Sequence, residues 1–536
     1  MCEVEDDYPG DRLQTAVVDA AATSVAQKCM KCKASSAVLV IRVGDAFCKS
    51  CFKEYFVHKF RAMLGKTRLI FPGEQVLLAL SGGPTSSAML CQVQEGLSRE
   101  APKKLRFSPG IVHIDEGAVC GRSLEERQQT LLQLEHIFQA SGFPYHIVFL
   151  EEVFQLPTSM LNSVSCSPAS HGENYKEAVD GFLQKQRETL VGAEQEPTVV
   201  TQLDVTHSED QIQAKLAQFG ISSEENSRNN LSETSISRKW QFTSAQTEAV
   251  KELFSSIKTL TAKEELLQTL RHHLLLYTAR IKGYTKIMMG DSCTRLAVKL
   301  LTNISLGRGA SLAIDTGFSD NRYGDVVIVR PMREYSSKEI AFYNKLFDVP
   351  NVFTPALDTK ASDKASIHRL TESFVNKLQT DFPSTVSTVY RTSEKLNTAC
   401  SDLNFGLEQP EKCLLCLCAM NNKIEEASAF QATLISENLS LKRLPECAPE
   451  VTEQCGNDGM DKCCGMQSEA VCYSTSCGNL LALLCYSCRL TIKDMVSLDL
   501  LPQYVLSEAE RRKRRAQVRE QIKEFLLAPE KDVADS

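Results

Sequence analysis

Cysteine is the residue type whose spacing carries most of the chemical information in this chain. The sequence has 536 residues and 21 cysteines, a density at which random placement would give about one Cys-x-x-Cys pair. It contains four such pairs, Cys29/Cys32, Cys48/Cys51, Cys413/Cys416 and Cys485/Cys488. The acidic start, MCEVEDDYPGD, lacks the apolar segment of a secretory signal. We therefore expect reduced thiols or metal ligands rather than disulfides.

The first two pairs have the spacing of a zinc ribbon, since only residues 33–47 separate them. Two tight turns, CMKC and CKSC, each present two thiolates, and four thiolates complete a tetrahedral zinc shell. Lys31 and Lys49 lie inside these turns, where positive charge offsets the negative charge of the site. The alternative is four unligated thiols. The spacing favours an N-terminal zinc site with Cys29, Cys32, Cys48 and Cys51 as ligands.

The last two pairs are a weaker candidate for a zinc site, because residues 417–484 separate them. The stretch LPECAPEVTEQCGNDGMDKCCGMQ between them is polar and aperiodic, which is typical of a disordered insertion. Closure entropy grows slowly with loop length, so a ribbon tolerates such an insertion. We predict Cys413, Cys416, Cys485 and Cys488 as the zinc ligands. The competing candidate ligands are Cys418, Cys463, Cys464, Cys472 and Cys477.

The centre of the chain alternates short apolar runs with helical patterns, which predicts an α/β fold with a parallel sheet. The predicted strands are QVLLAL (75–80), GIVHID (110–115), YHIVFL (145–150), KIMMG (286–290) and DVVIVR (325–330). The stretch RSLEERQQTLLQLEHIFQAS (122–141) has apolar residues at helical spacing, which predicts a helix. Thr261 and Glu264 form a capping-box pattern that predicts another helix start.

A glycine loop, Ser81-Gly82-Gly83-Pro84-Thr85-Ser86-Ser87, joins the first predicted strand to a helix. Glycines let backbone N–H groups approach a phosphate, and a helix N-terminus adds a favourable dipole. The loop matches neither the Walker A pattern nor GxGxxG, so the sequence does not support a kinase-like protein or a dehydrogenase. We predict a phosphate loop that involves Ser81, Gly82, Gly83 and Ser86.

This loop resembles the SGGxDS loop of the N-type ATP pyrophosphatases, the PP-loop superfamily. With a cysteine ribbon on either side, the chain is similar to the branch that thiolates tRNA. Four further motifs resemble the cytoplasmic tRNA 2-thiolation protein 2 family: VHIDEG (112–117), MMGDSCTRLA (288–297), RPMREYSSKEI (330–340) and SIHRLTESFVNKLQ (366–379). The resemblance implies a Rossmann-like PP-loop sheet with N- and C-terminal zinc ribbons.

The resemblance also implies a function. The family takes part in making 5-methoxycarbonylmethyl-2-thiouridine at the wobble position of tRNAs for Lys, Glu and Gln. A catalytic paralogue adenylates the uridine with ATP, and sulfur comes from a thiocarboxylated ubiquitin-related modifier. The member resembled here is the heterodimer partner of that paralogue. A cytoplasmic protein that contacts tRNA and no membrane is therefore expected.

Several departures from the catalytic pattern argue against chemistry in this chain. Thr85 stands where catalytic relatives have aspartate, and a hydroxyl is a poorer ligand than a carboxylate for a hard cation. Pro84 has no N–H to offer a phosphate. Both changes argue against ATP binding. Catalytic relatives also carry a Cys-x-x-Cys pair near the active site. Between the loop and residue 400, this chain has no such pair. Its cysteines there are Cys91, Cys120, Cys166 and Cys293. We predict no catalytic residues.

Three acidic residues, Asp115, Glu116 and Asp291, have two interpretations each. Asp115 and Glu116 follow a strand end, where α/β proteins bind ligands, or they cap the next helix. Asp291 contacts a nucleotide or forms the N-cap of the following helix. His272 and His273 lie in an apolar helix and are expected to be structural.

The charge distribution bears on RNA binding. The net charge of −7 excludes a uniformly basic nucleic-acid-binding chain. A basic block near the C-terminus is either a solvated helix face or an RNA contact. It comprises Arg511, Arg512, Lys513, Arg514 and Arg515.

The predicted organisation follows from these segments. The N-terminal ribbon spans 1–65, the PP-loop domain 70–350 with an insertion at about 221–247, a helical segment 351–400, the C-terminal ribbon 401–500 with an insertion at about 441–480, and the basic helix 501–536. Two other functions stay open: an active ATP-dependent tRNA thiotransferase, and a zinc-ribbon tRNA adaptor unrelated to thiolation.

Overall fold

The computed structural model describes most of the α/β core and the segments around all four Cys-x-x-Cys pairs. The described residues are 27–41, 45–98, 104–161, 175–193, 243–396, 412–420, 480–493 and 495–522. None of the helices found there has both the length and the apolar character that crossing a bilayer requires.

A six-stranded sheet forms the centre of the protein, in the order β5-β4-β3-β6-β8-β7. Its strands are β3 (Gln75–Ala79), β4 (Ser108–Asp115), β5 (Tyr145–Phe149), β6 (Lys286–Met289), β7 (Ser319–Asp320) and β8 (Val327–Val329). All pairs are parallel except β7 with β8. The α/β prediction is confirmed, and the sequence did not predict the short antiparallel edge strand. Two further strands, β1 (Leu39–Val40) and β2 (Ala46–Phe47), form a separate antiparallel pair.

Thirteen α-helices lie wholly within the described part of the chain. They are α1 (Lys49–Thr67), α2 (Pro84–Leu97), α3 (Leu124–Ser141), α4 (Tyr175–Ala193), α5 (Ser244–Ser255), α6 (Leu260–Lys282), α7 (Cys293–Ser305), α8 (Leu312–Thr316), α9 (Ser337–Leu346), α10 (Ile367–Asp381), α11 (Pro383–Thr392), α12 (Tyr486–Lys493) and α13 (Gln503–Gln521).

Strand order places a crevice at the carboxyl edge of the sheet. The chain leaves β3 toward β4 on one side and later returns to β6 on the other, which is the topological switch point where α/β proteins bind ligands. The glycine loop follows β3 and Gly290 follows β6. A Cβ on Gly290 would lie 3.2 Å from the backbone of Ser86, so the two loops are in close contact. A glycine allows this approach.

Alternate side chains of β3 enter two different cores, as a strand buried on both faces requires. Val76 and Leu78 join the core on one face, and Leu77 joins the core on the other. The first core contains Cys29, Cys48 and Cys51 with their surroundings, and the second contains Cys413 and Cys488. The two cysteine ribbons therefore lie on opposite faces of the sheet.

Helix α1 joins the N-terminal ribbon to the sheet domain. It begins inside the ribbon and presents Phe52, Phe56 and Phe60, each no more than 1% exposed, to the core. The ring of Phe56 stacks on Tyr343 of α9 at a centroid distance of 4.0 Å. Tyr335 donates a hydrogen bond of 2.6 Å to the Phe56 carbonyl. The ribbon thus shares one continuous core with the sheet.

Three local expectations differ from the structure. Ser292, not Asp291, is the N-cap of α7, and its hydroxyl accepts the N–H of Arg295. Helix α6 begins at Thr259, whose hydroxyl accepts the N–H of Ala262, rather than at Thr261. Residues 243–247 of the predicted insertion form the start of α5, which Thr243 caps. The rest of that insertion and the range 441–479 of the second lie outside the described residues.

Candidate metal centres and phosphate loop

The structure brings the first four cysteines together. The Sγ atoms of Cys29, Cys32, Cys48 and Cys51 all lie within 4.8 Å of one another. The Sγ atoms of Cys32 and Cys48 are 3.9 Å apart, close to the ~3.8 Å edge of a zinc tetrathiolate with bonds of about 2.3 Å. A disulfide would need about 2 Å. These donors and distances fit a four-coordinate metal ion.

The last four cysteines form a second group of the same kind. The Sγ atoms of Cys413, Cys416, Cys485 and Cys488 also lie within 4.8 Å of one another. Cys416 and Cys485 are separated by 3.5 Å between their sulfur atoms. The backbone N–H of Cys485 donates to Cys413 Sγ at 3.3 Å, a contact that stabilises a thiolate.

The two groups share the same local backbone. In each, the residue after the first pair adopts a left-handed conformation, Lys33 with φ 56° and Leu417 with φ 58°. Its N–H bonds the carbonyl of the first cysteine, Cys29 or Cys413, at 2.8 and 3.1 Å respectively. This turn directs both thiols of the pair toward the two thiols of the other pair.

The second pair of each group lies at the start of a helix. Cys48 is the N-cap of α1, and Cys485 directly precedes α12. The carbonyls of these two residues accept the N–H groups of Phe52 and Arg489, both at 3.0 Å. A helix N-terminus stabilises negative charge, so it favours the thiolate form that a metal needs.

Backbone N–H groups also stabilise thiolates in the first group. Hydrogen bonds from the Cys32 backbone lower the pKa of the Cys29 thiol, and those from Ser35 and Ala34 lower the pKa of Cys32. Lys31, expected to balance the site, instead forms a 2.6 Å ion pair with Glu54, while both side chains stay largely exposed.

Cys418, a competing ligand by sequence, lies outside the second cluster of four. Its Sγ atom contacts Arg322 Nη1 at 2.7 Å. Arg322 also pairs with Asp315 and Asp320, and Lys412 donates to its carbonyl at 2.6 Å. This buried charge cluster attaches the C-terminal ribbon to the sheet edge. Sequence reasoning missed Arg322, because nothing in its local pattern marks a contact across 96 residues. The other competitors, Cys463, Cys464, Cys472 and Cys477, lie outside the described residues.

The glycine loop has a phosphate-loop backbone, and several of its polar atoms form hydrogen bonds within the protein. Gly82 has φ +81° and Gly83 is the N-cap of α2. The Gly83 N–H points to Ser81 Oγ at 3.4 Å, and Ser86 Oγ donates to the Gly83 carbonyl at 3.0 Å. Val352 N–H donates to the Gly82 carbonyl at 2.9 Å. Pro84, at the first helical position, has no N–H to offer a phosphate.

The acidic residues at the sheet edge are paired within the protein. Arg127 donates to Asp115 at 2.7 Å and to Glu151 at 2.8 Å, and all three are buried. Glu116 pairs with Arg271. Asp115 is therefore neither free for a ligand nor a helix cap, because Ser123 caps α3.

Two further candidates have structural partners. Asp291 pairs with the buried Arg330 at 3.2 Å, so the RPMREY motif supplies its counter-charge. His273 contacts Tyr504 Oη at 2.6 Å and the Leu415 carbonyl at 2.8 Å. Burial lowers the pKa of His273 to about 4, so it is neutral. These contacts agree with the expectation that His273 has a structural role.

The basic block on α13 divides into two parts. Arg511 and Arg512 both bond Glu508, whose side chain is 1% exposed. Lys513, Arg514 and Arg515 are exposed. The second part has no such contact with Glu508, whereas Arg511 is exposed but paired.

Comparison with known proteins identifies the family. A family model described as cytoplasmic tRNA 2-thiolation protein 2 matches residues 366–490. A Danio rerio protein of that name is 53% identical over 99% of this chain and 100% of its own length. The chain belongs to the cytoplasmic tRNA 2-thiolation protein 2 family. The Homo sapiens member is 49% identical over 100% of this chain and 99% of its own. The expected family is thus confirmed, and its process is tRNA 2-thiolation.

A solved structure is also similar to this family member. It is the U34-tRNA thiolase NcsA from Methanococcus maripaludis with its 4Fe-4S cluster, with a TM-score of 0.42 and 14% identity over 73% of this chain and 95% of that chain. In the described part of the present chain, the only groups of three or more metal-ligating side chains are the two cysteine clusters. Cys91, Cys120 and Cys293 belong to neither, and Cys166 lies outside the described residues.

Proposed function

We propose that this protein is the non-catalytic partner in a heterodimer that thiolates tRNA. Its paralogue adenylates the wobble uridine of tRNAs for Lys, Glu and Gln, and a thiocarboxylated ubiquitin-related modifier supplies the sulfur for 5-methoxycarbonylmethyl-2-thiouridine. The complex acts in the cytoplasm. The present chain stabilises the active paralogue and helps to hold tRNA.

The observation that carries the non-catalytic role is the state of the glycine loop. Its Gly83 N–H faces Ser81, its Gly82 carbonyl is bonded to Val352, and Pro84 has no N–H. Thr85 replaces the carboxylate that would handle magnesium. A loop that has lost both a donor and a charge supports a retained scaffold rather than an ATP site.

We further propose zinc as the metal of both cysteine clusters. Four thiolates in a closed tetrahedral shell are typical of structural zinc and leave no position for a substrate. Each ion would fix a turn to a helix start, because the ligands come from both. The metal therefore supports the fold and not the thiolation chemistry.

Contact with tRNA is assigned to the exposed part of the basic helix. Lys513, Arg514 and Arg515 are free of the Glu508 contacts that engage Arg511 and Arg512. With an overall charge of −7, phosphate binding requires such a local basic segment.

The test is deletion of the chain from cells, followed by rescue with variants. We expect wobble 2-thiouridine, measured by mass spectrometry of purified tRNA, to disappear on deletion and to return with the wild type. Purified alone, the chain should show no tRNA-dependent ATP cleavage. Normal thiolation in the deletion cells would refute the role.

An active thiotransferase is the second candidate, favoured by the left-handed Gly82 and the helix that begins behind it. The variant Ser81→Ala separates the two. A catalytic loop would lose thiolation while folding and assembly persist, whereas a scaffold should retain it. Ser98→Ala, at the other end of α2, is the matched control.

A further inference from the structure

The segment that contains the N-terminal ribbon and α1 is strongly basic within an acidic chain. Residues 27–68 contain ten lysines and arginines but only two acids, Asp45 and Glu54. Their net charge is +8, so the rest of the chain carries −15. A local excess of this size is the electrostatic footprint of a surface that binds anions.

Ion pairing within the protein engages few of these cations. The three ion pairs are Lys31–Glu54, Lys53–Glu95 and Lys59–Glu339, at 2.6, 3.1 and 2.7 Å. In the first two, the side chains are between 36% and 66% exposed, so these pairs hold their lysines weakly. In the described part of the chain, the cations of this segment that have no acidic partner are Lys28, Lys33, Lys49, Arg61, Lys66 and Arg68.

Four of the basic residues follow one side of α1, and we call them the basic row. Lys49, Lys53 and Arg61 are spaced by multiples of four, and Arg68, the C-cap, follows Arg61 by seven, so they share one side of the helix. From Lys49 to Arg68 the helix rises about 28 Å. This length exceeds that of one small anion and suits a polyanion.

The helix under the basic row is anchored in the core. Phe52, Phe56 and Phe60 are each no more than 1% exposed, and Lys59 is paired with the buried Glu339 of α9. The cations therefore project from a fixed backbone. Binding an extended ligand to such a surface requires little ordering of the protein.

Lys49 and Lys53 indicate where an anion would be favourable. Both ammonium groups lie over the ring of Phe347, at 5.4 and 5.8 Å from its centroid. Like charges four residues apart on a helix repel each other, and only Lys53 has a carboxylate partner, Glu95. A phosphate beside both ammonium groups would offset this repulsion.

The outer surface of α1 favours RNA over a protein partner. Its exposed positions are polar or small: Lys49, Ser50, Glu54, His58, Ala62, Gly65 and Lys66. A protein interface has an apolar core rich in aromatic residues, which this helix surface lacks. The exposed apolar side chains of the ribbon, Met30, Val38 and Val40, precede α1 and are not part of the basic row. Lysine and arginine contacts to phosphate are the main source of RNA affinity.

We propose that the basic row is a second RNA-binding surface, which binds backbone phosphates of the tRNA. This inference rests on the proposed tRNA contact and adds a site for it. The helix α1 packs on one face of the sheet and α13 on the other, so the two basic helices contact different parts of the RNA. Phosphate contacts of this kind position the RNA and do not read its sequence.

The main experiment measures the salt dependence of tRNA binding by the full chain, alone and with its paralogue. The variant combines Lys49→Ala, Lys53→Ala and Arg61→Ala. Loss of three phosphate contacts should reduce the log–log slope by about 2 to 3 and weaken binding at low salt. The Tm should hardly change, because the substituted side chains lie outside the core.

A matched control removes the same charge elsewhere. It combines Lys251→Ala, Lys258→Ala and Lys360→Ala, three exposed lysines outside residues 27–68. Both triple variants lower the net charge equally, so an effect of net charge alone would appear in both. We expect the control to keep the slope and affinity of the wild type.

Chemical modification of the wild type locates the contact without any substitution. The lysines are acetylated by an amine-reactive reagent, and peptide mass spectrometry measures the rate at each position. Bound tRNA should slow acetylation of Lys49 and Lys53 and leave Lys251 unchanged. This measurement also decides the matter if the triple variant fails to fold.

Contrary results would overturn the proposal in different ways. An unchanged slope in the Lys49, Lys53 and Arg61 variant, or unprotected Lys49 and Lys53 in the tRNA complex, refutes the site. Protection by the paralogue without RNA, together with full tRNA affinity of the variant, makes the basic row a protein contact instead. If the wild type binds no tRNA either alone or in the complex, the proposed tRNA contact fails as well, whereas equal binding by wild type and variant removes only this inference.

Discussion

Cys418 Sγ lies 2.7 Å from Arg322 Nη1, directly beside a cluster of four cysteines to which it does not belong. By sequence, Cys418 competes with the predicted ligand Cys416, because it too follows Cys413 closely. The structure separates them by direction. Cys416 faces the other thiols, while Cys418 faces the charge cluster at the sheet edge.

This separation predicts different metal contents for two neighbouring substitutions. Cys416→Ser should remove one of two zinc equivalents from the purified full chain and lower its Tm, because a closed tetrathiolate loses a ligand. Cys418→Ser should keep both equivalents. Elemental analysis by mass spectrometry gives the count, and loss of zinc from Cys418→Ser would disprove the assignment.

Alanine at Gly82 should destabilise the fold by a steric clash as well as by backbone strain. Gly142→Ala measures the backbone strain alone. Gly82 and Gly142 both have positive φ, at 81° and 72°. A Cβ on Gly142 meets nothing within 4 Å, so Gly142→Ala should cost about 1–2 kcal/mol from backbone strain alone. A Cβ on Gly82 would lie 2.5 Å from the fully buried Leu134, so Gly82→Ala should cost more. Urea unfolding compares the two, and equal costs would contradict this packing.

The stability of the fold should depend on pH through Glu339, which links α9 to α1. Burial raises its pKa, but Lys59 at 2.7 Å and hydrogen bonds from Ser336 and Tyr55 lower it by more than burial raises it, so the folded-state pKa is depressed. Its contribution to stability is therefore present above the unfolded value of about 4.3 and is lost as pH falls through the folded pKa.

We accordingly expect Glu339→Gln to be less stable than the wild type at pH 7 and the difference to shrink as pH falls below about 4.3. The free energy of unfolding, measured across this range, checks the sign. Glu54→Gln, which changes an exposed carboxylate on α1, is the control and should show little difference at any pH. A Glu339→Gln difference that grew in acid would be inconsistent with a depressed pKa.

The divided basic block predicts two separate phenotypes. Replacing Lys513, Arg514 and Arg515 by Ala should weaken tRNA binding and reduce the salt dependence, by about 0.7–0.9 in log–log slope for each lost phosphate contact. The Tm should hardly change. Arg512→Ala should lower the Tm instead, since it leaves the buried Glu508 with less compensation. An unchanged salt slope in the triple variant would argue for a solvated helix face.

Much of this architecture could be predicted from the sequence because its signals are local. Buried strands such as β3 and β6 are largely apolar runs, and each Cys-x-x-Cys pair predicts a turn. The family motifs add the order of the elements. These features need only a few consecutive residues to be recognised.

Other features depend on contacts that no local pattern contains. Asp291 and Ser292 are both good N-cap residues, and the choice between them followed from the buried Arg330, which takes the carboxylate. The burial of Asp115 depends in the same way on Arg127 and Glu151. Val352 joins the core beneath the glycine loop, and its N–H donates to the carbonyl of Gly82, 270 positions earlier in the chain.

The placement of the two ribbons on opposite faces has a consequence for biosynthesis. His273 bonds Tyr504 across 231 positions, so the second face of the sheet closes only when α13 has left the ribosome. The opposite face, bounded by α1 and α9, has all of its residues more than a hundred positions sooner. A nascent chain thus completes one side while the other is still exposed, and a message truncated near its 3′ end would yield a half-covered sheet rather than a smaller protein.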